Sequence, residues 1–130
     1  MPGRAVAEMV RERGVELTVI ELNASTVERC EGHGGPHMIA GDARNPEVLQ
    51  SAGVKRASLI VVAIPDEHVS VEVTKQARKL NPTANIVTRC HYVSVGFEAR
   101  KAGANEVVIA EQVVAEELRG IVSPFVPDQL

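Results

Sequence analysis

The residues best suited to ligand chemistry form a sparse set: Gly3 and Arg4, Glu21 and Asn23, Asp42 and Ala43, and Arg89. Gly3 and Arg4 open a helical stretch. A helix start exposes unpaired N–H groups that attract phosphate, and a glycine there lets a phosphate or strand approach closely. Glu21 ends a short apolar run and lies 18 residues beyond Gly3. In dinucleotide-binding folds an acid about 20 residues past the glycine loop accepts hydrogen bonds from the adenosine ribose hydroxyls. Such an acid also repels a ribose phosphate, which favours NAD-like over NADP-like ligands. The bland alternative for Glu21 is a solvated acid at a strand end. The rest of the glycine fingerprint, a hydrophobic strand followed by G-x-G, does not precede Gly3, because the chain opens Met1-Pro2-Gly3.

Other chemistry is weaker. Cys30, His33 and His37 have metal-ligating side chains, but they surround Gly34-Gly35 without a compact spacing, so a flexible turn is expected and no metal site. His91 beside Tyr92 could transfer a proton, although packing or a ligand-edge role is the simpler reading. Cys90 falls in a strand and reads as a small buried hydrophobe. Glu98, Arg100 and Lys101, like Lys75, Arg78 and Lys79, read as solvated helix faces. No Ser-Tyr-Lys or similar set is visible, and no catalytic residue is assigned.

The elements that must position these residues alternate along the chain. Gly3 to Arg13 has apolar residues at helical spacing and stops at Gly14. Leu17 to Leu22 is a short apolar run, as in a strand buried on both faces. Ser25 or Thr26 is expected to cap a helix reaching Cys30, and His37 to Ala40 forms the next run. Asn45, Pro46 and Glu47 together mark a helix start. Ser58 to Ile64 is β-branched and uncharged; Pro65 ends it, and Asp66 caps a helix to Leu80 closed by Asn81-Pro82. A strand at Asn85–Cys90, a helix at 95–102 stopping at Gly103, a strand at 106–110 and a helix at 112–119 complete the order. Helices alternating with buried strands predict a mainly parallel, Rossmann-like α/β sheet with helices on both faces. In such sheets ligands bind outside the carboxyl ends of the strands, where the candidate residues cluster.

The bulk composition narrows the partners. One hundred and thirty residues suit a single domain, expected over 1–119 with an irregular tail from 120 to 130. A net charge of −3 offers no broad basic face for nucleic acid, and three aromatic residues are too few for a base-stacking platform. Two cysteines far apart suit a reducing, cytosolic setting. No apolar run approaches the roughly 20 residues that span a bilayer.

Four segments carry a family resemblance: GRAVAEMVRERGVELTVIELN, IAGDARNPEVLQSAGV, IVVAIPDEHVSVEVTKQARKLNP and VTRCHYVSVGFEARKAGANEVVIAEQVVAEEL. They resemble the TrkA-N (RCK) domain, and most of all the cytosolic nucleotide-binding domain of Kef-type cation:proton antiporters. The most specific pieces are Gly41-Asp42-Ala43 and the block from Arg89 to Asn105.

The resemblance implies a non-catalytic ligand-sensing module that binds NAD(H), AMP, ADP or ATP and gates potassium or other cation transport. It places Gly3 as the last glycine of the phosphate loop, Glu21 as the ribose acid, Asp42 and Ala43 at the adenine edge, and Arg89 toward the phosphates. It also implies a homodimer attached to a membrane-embedded transporter or antiporter, in the cytoplasm at the inner face of the membrane. Two alternatives stand beside it: an oligomerisation module that no longer binds nucleotide, and a fragment of a Rossmann oxidoreductase. The family's central first strand is missing. The strands at 17–21 and 58–63 are therefore expected to close the slot by pairing directly or by taking a strand from a second chain.

Overall fold

The computed structural model describes residues 2–30 and 36–128. The observed order is α1 (Pro2–Glu12), β1 (Thr18–Glu21), α2 (Ala24–Cys30), β2 (His37–Ala40), α3 (Pro46–Ser51), β3 (Leu59–Val62), α4 (Glu67–Leu80), β4 (Asn85–Cys90), α5 (Val93–Ala102), β5 (Glu106–Ile109) and α6 (Ala110–Val122). Single turns of 3-10 helix lie at Val54–Arg56 and Ser123–Phe125.

Several boundaries follow from local chemistry. Asn45 Oδ1 accepts the Glu47 N–H at 2.9 Å, with Pro46 in the first turn, and so starts α3. Asp66 Oδ1 accepts from His68 N and Val69 N and starts α4. Gly103 ends α5 at φ 122°, a conformation open to glycine and hostile to side chains. The cap of α2 differs from expectation. Asn23, not Ser25 or Thr26, supplies the capping oxygen, accepting Ser25 N at 3.0 Å and Ser25 Oγ at 2.7 Å. At the other end of the chain, α6 runs through Gly120 to Val122, so the tail expected to be irregular from residue 120 begins as helix.

All strand pairs are parallel. They form two ladders, β1-β2 and β3-β4-β5, with Glu21 opposite Ala40 in the first and Val62 opposite Thr88 in the second. The expected direct pairing of β1 with β3 does not occur. Its physical basis was the cost of burying unpaired backbone groups. That cost is reduced here, because Leu59 and Val61 of β3 remain 48% and 40% exposed and water reaches that part of the strand, although Val62 at its end is buried.

The core lies between the second ladder and helices α4 and α5. Val62, Val73, Ala77, Ile86, Cys90 and Ala99 are buried there, and Ile86, Cys90, Ala77 and Ala99 exclude solvent entirely. Cys90 thus sits as the small buried hydrophobe its strand pattern suggested, and burial pushes its thiol pKa up. Two buried hydroxyls satisfy each other across the layers, Thr74 on α4 and Thr88 on β4, 2.7 Å apart. Ile20 of β1 and Ala43 pack against this same cluster and join the first ladder to it.

Candidate functional site

The carboxyl ends of the strands gather the candidate residues. α1 returns through Gly14 to β1, so its first turn lies toward the far end of that strand. There Gly3 faces Ala63, the residue after β3. A Cβ built on Gly3 would lie 3.4 Å from the Ala63 side chain, which is ordinary contact. The start of α1 therefore meets the end of β3, as a helix N-terminus offered to a ligand requires. Arg4, on the same turn, is exposed and pairs with Glu8 at 3.7 Å.

Glu21 is half-buried at the end of β1. Its Oε1 accepts the Asn23 N–H at 3.3 Å, and its backbone carbonyl accepts Gly41 N–H at 2.9 Å. The second bond ties the β1 and β2 ends together and brings Asp42 and Ala43 beside Glu21. Gly41 also makes room for Val48 of α3, since a Cβ there would lie 2.9 Å from Val48 Cγ2. Asn23, also proposed to meet the ligand, is committed to the α2 cap.

Asp42 has a partner the sequence reading missed. Arg44 Nε lies 3.0 Å from both carboxylate oxygens, its NH2 is 2.6 Å from Oδ2, and its backbone N–H donates to Oδ1 at 2.9 Å. The hydrogen bonds from Arg44 hold the Asp42 carboxyl well below its usual range, at about 2. The signal was available: an Asp that turns the chain back on its own backbone brings the residue two places on within reach of its carboxylate. Because the folded pKa is lowered, the pair's stabilisation is complete above about pH 4 and is lost as the pH falls through about 2. In Arg44→Ala the Asp42 carboxyl should titrate higher, rising toward the ordinary 3.9 but staying below it because the backbone N–H of residue 44 still donates to Oδ1, and carboxyl NMR reads the shift directly. An unchanged titration would remove Arg44 as the cause.

Arg89 is half-buried near the end of β4, and its guanidinium meets no acceptor among the described residues. In the alternation it shares one sheet face with Leu59, Val61 and Val108. Ala63, which Gly3 touches, falls next on that face. Arg89 and the start of α1 thus lie on one side of the sheet, at one end.

Glu67 is a second residue the sequence reading passed over. Its Oε2 accepts the His91 N–H at 3.1 Å, while His91 Nε2 lies 3.0 Å from the Pro65 carbonyl. These bonds stitch the β3–α4 turn to the β4–α5 turn, so His91 has a positioning role, while Tyr92 remains exposed. Of the metal-type residues, the side chain of Cys30 and the whole of His33 lie outside the described residues. Among the described residues no cluster of three or more His, Cys, Asp or Glu is arranged to hold a metal ion.

Parallel strands alternating with helices along the chain define a Rossmann-like α/β domain, with the candidate residues at the carboxyl ends of its strands. The TrkA-N domain model matches residues 2–110, and this chain belongs to that family. YbaL of Escherichia coli (strain K12), described as a cation/proton antiporter, is 28% identical over 116 residues, covering 89% of this chain and 21% of YbaL. The crystal structure of the TrkA-N domain of inner membrane protein ybaL from Escherichia coli superposes with a TM-score of 0.86 at 28% identity, covering 92% of this chain and 88% of that one. The Kef CTD of Shewanella denitrificans in AMP-bound form shares the fold, with a TM-score of 0.79 at 20% identity, covering 98% of this chain and 76% of that one. The chain spans about a fifth of the length of YbaL. No helix among the described residues is long and apolar enough to cross a membrane.

Proposed function

We propose that this chain is a regulatory ligand-sensing domain that binds NAD(H) or an adenine nucleotide (AMP, ADP or ATP) and gates potassium or other cation transport without catalysing a reaction. The observation that carries this reading is the placement of Glu21, Asp42 and Ala43 together at the carboxyl ends of β1 and β2, with Gly3 and Arg89 on one side of the β3-β4-β5 ladder at its carboxyl end. Glu21 is suited to accept from the ribose hydroxyls. Asp42 and Ala43 lie beside it for the adenine edge, and the start of α1 with Arg4 and Arg89 offers positive charge to phosphate. Names of relatives support the transport assignment: YbaL as a cation/proton antiporter and the Kef domain in its AMP-bound form.

In this reading residues 1–119 form the sensor, which works as a homodimer held at the inner face of the membrane by a transporter or antiporter. Ligand acts by binding one arrangement of paired domains more tightly than another, and the difference in affinity sets the shift. One observation favours a second reading, an oligomerisation module without ligand. β1 and β3 flank the phosphate end of the site and do not pair, so fewer backbone groups hold that end in place. Calorimetric titration of the chain with NAD, NADH, AMP and ATP separates the two. Saturable binding of at least one is expected, and no heat with any of the four would overturn the sensor reading in favour of the second.

A further inference from the structure

The net charge of −3 is unevenly placed. Because the strands are parallel, helices that precede a strand end at one edge of the sheet, and helices that follow one begin at the other. Around the β3-β4-β5 ladder the amino-edge turns are basic. Lys55 and Arg56 stand ahead of β3, Arg78 and Lys79 end α4, and Arg100 and Lys101 end α5. Glu106, at the start of β5, is the one acid among residues 52–58, 78–86 and 100–106. At the carboxyl edge the helix starts are acidic, with Asp66 and Glu67 at α4 and Glu111 at α6.

Side-chain bonds gather the three basic turns into one surface. Asn81 Nδ2 donates to the Val54 carbonyl at 2.7 Å and holds the 3-10 turn against the end of α4. Arg78 Nε donates to the Gly103 carbonyl at 3.0 Å, and its Nη2 donates to Asn105 Oδ1 at 2.6 Å, which joins α4 to the turn after α5. Leu59 stands opposite Asn85 and Val87 opposite Glu106, so the three strands start within two residues of one level. Arg78 is committed to these bonds, and Arg100 reaches Glu106 at 3.9 Å. Lys55, Arg56, Lys79 and Lys101 are exposed and enter no ion pair among the described residues. The helix dipole favours a cation at a helix end, but it does not account for the near absence of acids beside them.

We propose that this basic edge docks on an anionic lipid surface and turns the carboxyl edge, with the ligand site, away from it. Polybasic attachment takes clusters of about 4–8 cations, and the edge supplies that number. Cations on three separate turns at one level match a plane of headgroups better than a single extended acidic segment. None of the large exposed apolar side chains lies in these turns, so the attachment is electrostatic, without insertion. The acids of the far edge do not oppose it. The 14 residues of α4 separate the two edges by about 20 Å, well beyond the screening length of about 8 Å at physiological salt. This rests on the membrane location in the proposed function and does not depend on nucleotide binding.

The chain should co-sediment at low salt with vesicles of phosphatidylglycerol and phosphatidylcholine in equal parts, and not with phosphatidylcholine alone. The triple variant Lys55→Gln, Lys79→Gln, Lys101→Gln, with unchanged circular dichroism, should lower the vesicle partition about 100-fold, roughly fivefold for each lysine. Raising the salt should release the parent chain as well, a measurement that needs no substitution. Failure of the parent chain to bind the anionic vesicles would overturn the proposal. Equal binding by the triple variant would overturn it too, by placing the contact elsewhere. Fluorescent polyglutamate tests the rival occupant: capture through the same three lysines, with vesicles left unbound, would assign the edge to an acidic protein segment. Calorimetry with AMP reads the opposite edge and should not distinguish the parent from the triple variant. Vesicle binding without nucleotide binding would overturn the sensor reading and leave this surface standing.

Discussion

Replacing Glu21 with alanine is expected to weaken binding of NAD or AMP by about 1–3 kcal/mol, roughly 5- to 150-fold in Kd. The range is that for losing hydrogen bonds to a charged acceptor. Glu21 is placed for this role by three local facts. It ends β1, it is half-buried so that water screens it incompletely, and only its Oε1 is engaged within the chain, by the Asn23 N–H. The substitution should leave the fold intact, since that bond is weak at 3.3 Å and the carbonyl bond to Gly41 belongs to the backbone. Glu21→Gln sharpens the test, because it keeps an acceptor and removes the charge. It should cost less with NAD and relax discrimination against NADP, whose ribose phosphate the carboxylate repels. Calorimetry with both ligands reads the outcome. Affinity unchanged in Glu21→Ala would remove the ribose contact and leave the strand-end acid as solvated surface.

The second large effect falls on stability. Asn81→Ala is expected to lower the unfolding free energy by about 3–4 kcal/mol, because several buried groups lose their partners at once. Asn81 is 3% exposed and closes α4. Its Nδ2 donates to the carbonyls of Val54 and Ala57 at 2.7 and 2.9 Å, while Oδ1 accepts Thr83 N at 3.1 Å and Ala84 N at 3.0 Å. One side chain thus joins the 3-10 turn ahead of β3 to the turn ahead of β4, two segments with little secondary structure of their own. Asn81→Asp should be comparably harmful, since it keeps the acceptor but points a carboxylate at two carbonyls. Denaturant titration measures both variants. A loss below about 1 kcal/mol for Asn81→Ala would mean that water replaces the lost bonds, which burial argues against.

The local grammar of the chain was readable before any coordinates. Asn45-Pro46-Glu47 and Asp66 start helices because a side-chain oxygen reaches N–H groups two or three residues away, a contact decided within a single turn. The β-branched runs gave strands, Asn85–Cys90 to the residue, since such side chains suit a pleated surface packed on at least one face. The order of elements then required parallel pairing, and the candidate ligand edge followed from the parallel strands. Where several cappers stand together, as in Asn23-Ala24-Ser25-Thr26, sequence could not choose among them, and the backbone chose Asn23. The helix α6 passes through Gly120 because glycine disfavours a helix by only about 1 kcal/mol, too little to stop an amphipathic one.

What only the tertiary structure decided are contacts between residues distant in the chain. Glu67 holds His91 across 24 residues, and Asn81 reaches Val54 across 27. Neither distance leaves a mark in composition or spacing. The separation of β1 from β3 belongs here too. Pairing was inferred from the cost of a buried edge, and whether an edge is buried depends on the packing of the whole molecule. The sequence by itself therefore determined the elements, their order and the family, because these rest on short-range hydrogen bonding and on apolar patterning. The tertiary structure alone decided which edges and faces stay open, because exposure is a property of the assembled surface.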